Sequence, residues 1–256
     1  MADVVAQHPD LFGKGVLITG GGTGIGAALT AAFAAQGAKV AFIDICEQES
    51  SALAERLSQT ARHPVTFIPA DLRDVDVAKA AVNAAIGTLG SLSVLVNNAA
   101  WDDRHDIDTV TEEYWDDNQA VNLKQLFFVT QTALPHLRAA GSAAIVNFSS
   151  ISYLLNMGDL PSYAAAKAGI IGLTKSMAGR LGPEGIRVNA LLPGMIVTER
   201  QKRLWLSEDS INSTVSRQCL RRPLTADDVV GPCLFLASSA SAGMTAQTMI
   251  IDGGLL

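Results

Sequence analysis

Seven short runs of this chain are apolar on consecutive residues rather than on alternate ones. They are "GVLIT" (15–19), "KVAFI" (39–43), "VTFIP" (65–69), "LSVLV" (92–96), "AAIVNF" (143–148), "IRVNAL" (186–191) and "QTMIID" (247–252). Val- and Ile-rich runs without alternation suit strands covered on both faces. Between most of them lie Ala-rich helical stretches such as "GAALTAAFAAQG" (26–37) and "EQESSALAERLSQ" (47–59). The β-α-β-α rhythm predicts an α/β fold, a doubly wound parallel sheet. No Pro/Gly/Ser linker divides the chain and nothing repeats beyond the rhythm, so residues 1–256 read as one domain.

Composition excludes several function classes. With 48 % hydrophobic and 17 % charged residues, the chain can bury a sizeable core and is not disordered. A net charge of −6 argues against a general nucleic-acid binder, which needs a basic face. Cys46, Cys219 and Cys233 are odd in number and form no C-x-x-C pair, which suggests a reduced, cytoplasmic compartment. His8, His63, His105 and His136 are scattered without zinc spacing, so no metal is expected. The start "MADVVAQHPDLFGKG" lacks the basic region and apolar core of a signal peptide. No run reaches the ~18 apolar residues of a membrane span, so no membrane partner is expected.

One segment breaks the rhythm. "VTERQKRLWLSEDSINSTVSRQCLRRPL" (197–224) is polar and helical in character, between two late strands. An insertion there lies at the carboxyl end of the sheet, where such folds bind ligands. It reads as a helical substrate lid, with an ordinary surface helix pair as the alternative.

"GVLITGGGTGIGAAL" follows the first strand and opens the first helix. Gly20, Gly24 and Gly26 stand where the chain must turn tightly and let phosphate approach the backbone, with helix N-terminal amides facing a pyrophosphate. Asp44 ends the second strand, where a carboxylate accepts both hydroxyls of an adenosine ribose. No Arg or Lys stands at Thr23, Ile45 or Cys46 to offset it, so NAD is favoured over NADP. The alternative is an exposed strand-end aspartate.

Tyr163 and Lys167 are four residues apart in "SYAAAKAGIIGLTKSM", a helical run, and so share one helix face. A tyrosine of pKa near ~10 is a poor base at neutral pH. A neighbouring ammonium stabilises phenolate and is expected to lower that value, and a cationic nicotinamide adds to the effect. Tyr153 has no such partner, because Met157 stands four residues on.

With these residues in view, the sequence resembles the short-chain dehydrogenase/reductase family over nearly its whole length. The matching motifs are Thr19-Gly20 with Gly24 and Gly26, Asp71, "NNAA" (97–100), Asn122, Ser150 thirteen residues before Tyr163, Tyr163-x-x-x-Lys167, and "PGMIVT" (193–198). The resemblance implies a single seven-stranded Rossmann domain, often tetrameric. It implies that Tyr163 exchanges a proton with the substrate oxygen, that Ser150 hydrogen-bonds that oxygen, and that Lys167 lowers the tyrosine pKa and binds the nicotinamide ribose. Asn122 would hold a water linking Lys167 to solvent. The glycine turn, with Thr23 and Ile25, would cradle the cofactor, Asp44 and Ile45 its adenosine, and Asp71 and Leu72 its adenine. Asn98, Ala99 and Ala100 would line the adenosine ribose side, and Pro193, Gly194, Ile196 and Thr198 the carboxamide. Ala100 stands where the family usually has Gly; its methyl would crowd the cofactor or narrow the pocket.

Within the family, "NNAAWDDRHDI" (97–107), "NFSSISYLL" (147–155), "PGMIVTERQ" (193–201) and "LW" (204–205) resemble bacterial NAD-dependent aldose 1-dehydrogenases, which take the anomeric hydroxyl of an aldopyranose to a lactone. A polyol needs directional partners and a wall for one ring face. Arg104, Ser150, Ser152, Asn156 and Gln201 are candidate partners, and Tyr153 or Trp205 a candidate wall. "WDDRHD" reads equally as a solvated loop or a salt-bridged subunit contact. The alternatives are a relative acting on another polyol, a hydroxy acid or a 3-oxoacyl thioester, and a cofactor-sensing protein without chemistry, which should have lost members of the catalytic four.

Overall fold

The computed structural model describes residues 6–256; the first five residues, part of the stretch without signal-peptide character, lie outside the described residues. β1 (Gly15–Thr19) leads to α1 (Gly24–Ala35), β2 (Lys39–Asp44) to α2 (Glu47–Ser58), and β3 (Thr66–Pro69) to α3 (Val75–Leu89). β4 (Val94–Asn97) leads to α4 (Glu112–Gln119), which runs through a single π turn (Ala120–Lys124) into α5 (Gln125–Ala139). β5 (Ala143–Phe148) precedes α6 (Pro161–Leu181), and β6 (Ile186–Pro193) precedes α7 (Glu199–Leu204), α8 (Glu208–Arg217) and α9 (Ala226–Ala237) before β7 (Thr248–Ile251).

The strands form one parallel sheet in the order β3-β2-β1-β4-β5-β6-β7. The pleat sends neighbours to opposite faces, which is why the runs are continuously apolar. Val16 and Ile18 pack with Leu29 and Phe33 of α1 and Leu234 of α9, while Leu17 packs with Val82 of α3 and Val129 of α5. Each such side chain, fully buried, contributes roughly 1.5–3 kcal/mol. The chain order reverses between β1 and β4, which opens a crevice at their carboxyl ends.

The strand boundaries that differ most from the sequence expectation are at β4 and β6. β4 starts at Val94 rather than residue 92, where its pairing with Val16 and Ala144 begins. β6 extends to Pro193 because β7 pairs with its last four residues.

Helix ends follow local chemistry. Asp74 caps α3 by accepting the amides of Asp76 at 2.9 Å and Val77 at 3.1 Å, and Gly90 ends it in the left-handed region. Arg187 of β6 donates to the carbonyls of Leu236 (2.9 Å) and Ser238 (3.0 Å) at the end of α9. In the segment 197–224, α7 and α8 bury no residue, while Gln218 and Leu224 are buried. The segment's two ends meet where the Val197 amide donates to the Leu224 carbonyl at 2.8 Å. No described helix is long and apolar enough to cross a membrane.

Candidate active site

The crevice floor begins at Thr19. Its buried hydroxyl accepts the backbone amides of Asn98 and Ala99, both at 3.1 Å, which staples the ends of β1 and β4 together. Asn98 donates its side-chain amide to the Gly20 carbonyl at 2.8 Å, so it is a strut beneath the glycine turn. Gly20 turns with φ +65°, and a β-carbon there would lie 2.7 Å from the Ala99 α-carbon. Gly26 packs so closely that its β-carbon would overlap the Gly20 carbonyl. Thr23 is the extended residue before α1, and Ile25 packs against the α1–α9 core. Gly24 is exposed at the helix start; its β-carbon would lie 3.6 Å from the Thr198 methyl on the far wall.

Asp44 is 8 % exposed. Its Oδ2 accepts the Gly22 amide at 2.7 Å and its Oδ1 the Cys46 amide at 3.0 Å, which leaves acceptor capacity on both oxygens. Ile45 beside it is exposed. These features fit a dinucleotide: a glycine-flanked helix start for the pyrophosphate, a fixed carboxylate for a ribose diol and an apolar edge for a flat ring. The pair expected at adenine fits less well. The Asp71 carboxylate is gripped by Arg73, at 2.9 Å from Nε and 2.6 Å from Nη2, whose hydrogen bonds hold it below the usual carboxylate range. Leu72 is buried in the core against α3, so its backbone rather than its side chain is available to a ligand.

On the far wall, Pro193 is buried and the Gly194 amide donates to the Ile251 carbonyl at 2.8 Å. Ile196 is buried and bridges to Leu224, and Thr198 caps α7 by accepting the Gln201 amide at 3.2 Å. Ala99 is half-buried and Ala100 exposed.

A buried polar row fixes the register of the catalytic side. Asn97 donates to Asn147 at 2.9 Å and to Thr130 at 3.1 Å, and Asn147 donates to Thr174 at 3.0 Å. Asn97 and Asn147 are register partners on β4 and β5, so a slip of one residue would strand several buried polar groups. Beyond β5, Ser149 Oγ donates to the Lys167 carbonyl at 2.7 Å while Lys167 Nζ donates to the Phe148 carbonyl at 3.0 Å. This two-way clamp holds α6 against the strand end. Ser150 Oγ accepts the Ser152 amide at 3.1 Å.

Tyr163 and Lys167 stand one turn apart, with Nζ 5.3 Å from the tyrosine ring centroid. Burial pushes the Lys167 ammonium down to about 8, against the opposing charge of Asp102. The Tyr163 phenol moves opposite to the sequence expectation. Burial pushes it up and Asp102 adds to this, while the Ser150 hydrogen bond and the charges of Arg104 and Arg200 pull the other way. Lys167 is not among the groups that move it, and desolvation of the phenol dominates.

Asn122 sits in the π turn, a distortion frequent at functional sites. Its Oδ1 accepts the Trp101 amide at 2.9 Å, and its Nδ2 donates to the carbonyls of Trp101 (2.9 Å) and Asn118 (3.0 Å). Both amide protons are engaged, so the side chain ties α4 to the loop after β4.

The "WDDRHD" loop makes internal contacts. Burial alone would push the Asp102 carboxyl up, but Arg200 Nη1 at 2.5 Å and the Gln201 amide outweigh it and hold the group below its usual range. Arg104 pairs with Asp159 at 3.4 Å, and its guanidinium lies 5.6 Å from the Trp205 ring centroid. Among the proposed substrate partners, Gln201 and Arg104 are therefore committed to protein groups. Tyr153 is half-buried against Ile151, Ala190 and Leu192, and Asn156 is exposed. Ser152 Oγ and Trp205 Nε1 are buried without hydrogen-bond partners among the described residues. Local sequence patterns give no site roles to Thr19, Asp102, Arg200 and His105, because their partners lie too far along the chain for spacing to reveal them.

The family described as enoyl-(acyl carrier protein) reductase matches residues 20–256. The chain is 61 % identical over 250 residues to a probable galactose dehydrogenase of Rhizobium meliloti (strain 1021), covering 98 % of each chain. It is 42 % identical over 249 residues to a D-xylose 1-dehydrogenase of Caulobacter vibrioides, covering 97 % of this chain and 98 % of that one. Among solved structures, a short-chain dehydrogenase/reductase variant from Serratia marcescens superposes with a TM-score of 0.88 at 30 % identity, covering 97 % of this chain and 99 % of that one. A nearly full-length likeness in both sequence and fold places the chain in the short-chain dehydrogenase/reductase family, as an oxidoreductase that uses a nicotinamide cofactor.

Proposed function

We propose that the protein oxidises the anomeric hydroxyl of an aldopyranose to an aldonolactone with NAD. The observation that carries the chemistry is the Tyr163 phenol beside Ser150 with Lys167 one turn below. The substrate class is supported by the likeness to the galactose and xylose dehydrogenases. Ser150 holds the C1 oxygen and Tyr163 takes its proton. When bound, the nicotinamide ring supplies the hydride acceptor and a positive charge that favours phenolate. Lys167 binds the ribose and passes the proton outward. With the Asn122 side chain engaged, a water in that relay would rest on its backbone carbonyl.

Asp44 favours NAD because a 2′-phosphate would meet a buried carboxylate. Arg200, the cation whose field reaches neighbouring Cys46, is committed to Asp102. The unpartnered Ser152 hydroxyl and Trp205 indole N–H are the groups for sugar hydroxyls, since a buried donor without a partner is costly. Residues 197–224 act as the lid, anchored to the loop after β4 through Asp102. The protein works as a cytoplasmic homotetramer. An apolar groove lined by Leu123, Phe127, Gly169 and Gly172 suits pairing of helices between copies.

NADH formation across an aldose panel, with NAD and NADP compared, tests this reading. Turnover of galactose or xylose with at least about tenfold preference for NAD (about 1.4 kcal/mol) is expected. No turnover on any aldose, alongside activity on a 3-oxoacyl thioester, would overturn it.

A further inference from the structure

Helix α6 carries Tyr163 but starts without a cap of its own. Leu160 at the N-cap position offers no side-chain acceptor, and Pro161 has no N–H. The first amide that needs a partner is that of Ser162, the residue before Tyr163. It donates to His105 Nε2 at 3.0 Å, across fifty-seven positions of sequence.

The imidazole is oriented for this task. Because Nε2 accepts, the proton of the neutral ring lies on Nδ1. Nδ1 faces the Asp103 carbonyl at 3.1 Å and the Tyr114 hydroxyl at 3.0 Å. The carbonyl can only accept, which fixes the tautomer. The Tyr114 ring flanks the imidazole with centroids 4.9 Å apart. The His105 amide donates to the Asp159 carbonyl at 3.0 Å, tying the loop to the approach into α6. Ser162 is also gripped from α4: its hydroxyl donates to Asn118 Oδ1 at 3.0 Å and accepts from Gln119 Nε2 at 2.9 Å. Asn118 in turn accepts from Asn122. The start of α6, the π turn and the "WDDRHD" loop are thus one hydrogen-bonded ring.

We propose that His105 is a positioning residue: its Nε2 supplies the cap that α6 lacks and thereby sets where the Tyr163 phenol stands relative to Ser150. It rests on the reading of Tyr163 as the proton-transfer group. A cap is ordinarily a stability device. Here the next residue is the reacting one, and a displacement of about 1 Å at a reacting group costs on the order of 10²-fold in rate.

The test compares two amides in the full-length protein, assayed with NAD and galactose. His105→Gln places Oε1 near the position of Nε2 and is expected to keep kcat within about threefold. His105→Asn is one methylene too short to reach Ser162, and its kcat is expected to fall about 10–100-fold. The dissociation constant for NADH and KM for galactose are expected to stay within about threefold in both, since the cofactor cradle does not include His105. His105→Phe keeps a ring against Tyr114 and is expected to behave like the Asn variant. Equal kcat in the Asn and Gln variants, or a loss of NADH binding in step with kcat, overturns the proposal. Tyr163→Phe alone tests the reading beneath it: full turnover in that variant overturns the reading, whatever the His105 pair shows.

Discussion

The two halves of the crevice are built from different materials. The half around β1 and β2 is made of backbone: a glycine turn, amides fixing Asp44, and closeness that leaves no room for a β-carbon. The half around β4–β6 is made of side chains: Asn97, Asn147, Ser149, Asn122, Ser162 and His105 bonded across distant positions. The first half should therefore fail when an atom is added, and the second when one is removed.

The largest effect expected on removing an atom is at Tyr163. Tyr163→Phe should lower kcat about 10³-fold with no change in NADH affinity by fluorescence titration, as befits loss of a proton-transfer group. If NADH affinity fell with kcat, the two halves would not be separable. Adding one carbon tests the other side. Gly26→Ala must shift the Gly20 carbonyl and should cost about 2–4 kcal/mol in urea unfolding. Its NADH dissociation constant should rise by on the order of 10²-fold, about 2.7 kcal/mol. Wild-type affinity in this variant would show that the turn is not a tight cradle.

Asp44→Ser changes one carboxylate within the backbone-built half. The ratio of kcat/KM for NAD over NADP should fall about 10–100-fold, or 1.4–2.7 kcal/mol. An unchanged ratio would assign cofactor choice to other residues.

The smallest effect has the opposite sign. Lys167 titrates at about 8 in the folded protein, against ~10.4 for a free lysine. Below pH 8 both states are protonated and the fold bears the whole penalty of a buried ammonium. As pH rises from 8 towards ~10.4 the folded lysine loses its proton first, so this group's contribution to stability improves with pH. Lys167→Met should gain about 2 kcal/mol of stability at pH 7, the relieved burial exceeding the lost bond to Phe148. Urea unfolding at pH 7 and 9.5 should show the gain shrinking at the higher pH, and a loss of stability at pH 7 would contradict it.

The same contrast explains what the sequence made legible. Strand runs and the glycine turn are local patterns, so all seven strands and the tight turn after β1 could be read from neighbours in sequence. Tyr163 and Lys167 were legible because one helical turn brings them together. The direction of the Tyr163 pKa was not, because burial is decided by the whole fold. Asp71 and Leu72 were expected around adenine, yet Arg73 and the core engage their side chains. The "WDDRHD" loop resisted reading for the same reason: Asp102 meets Arg200 and Gln201 nearly a hundred positions later, and His105 meets Ser162 fifty-seven positions later.

That loop limits how the protein can be retuned for a different sugar. Replacing its polar residues to reshape the pocket would loosen the contact with α7 at Asp102 and the helix start at His105 together. Randomised libraries there would confound new recognition with lost alignment. The exposed stretch at Leu154, Asn156 and Gly158 carries no such duty among the described hydrogen bonds, and it is the better place to diversify.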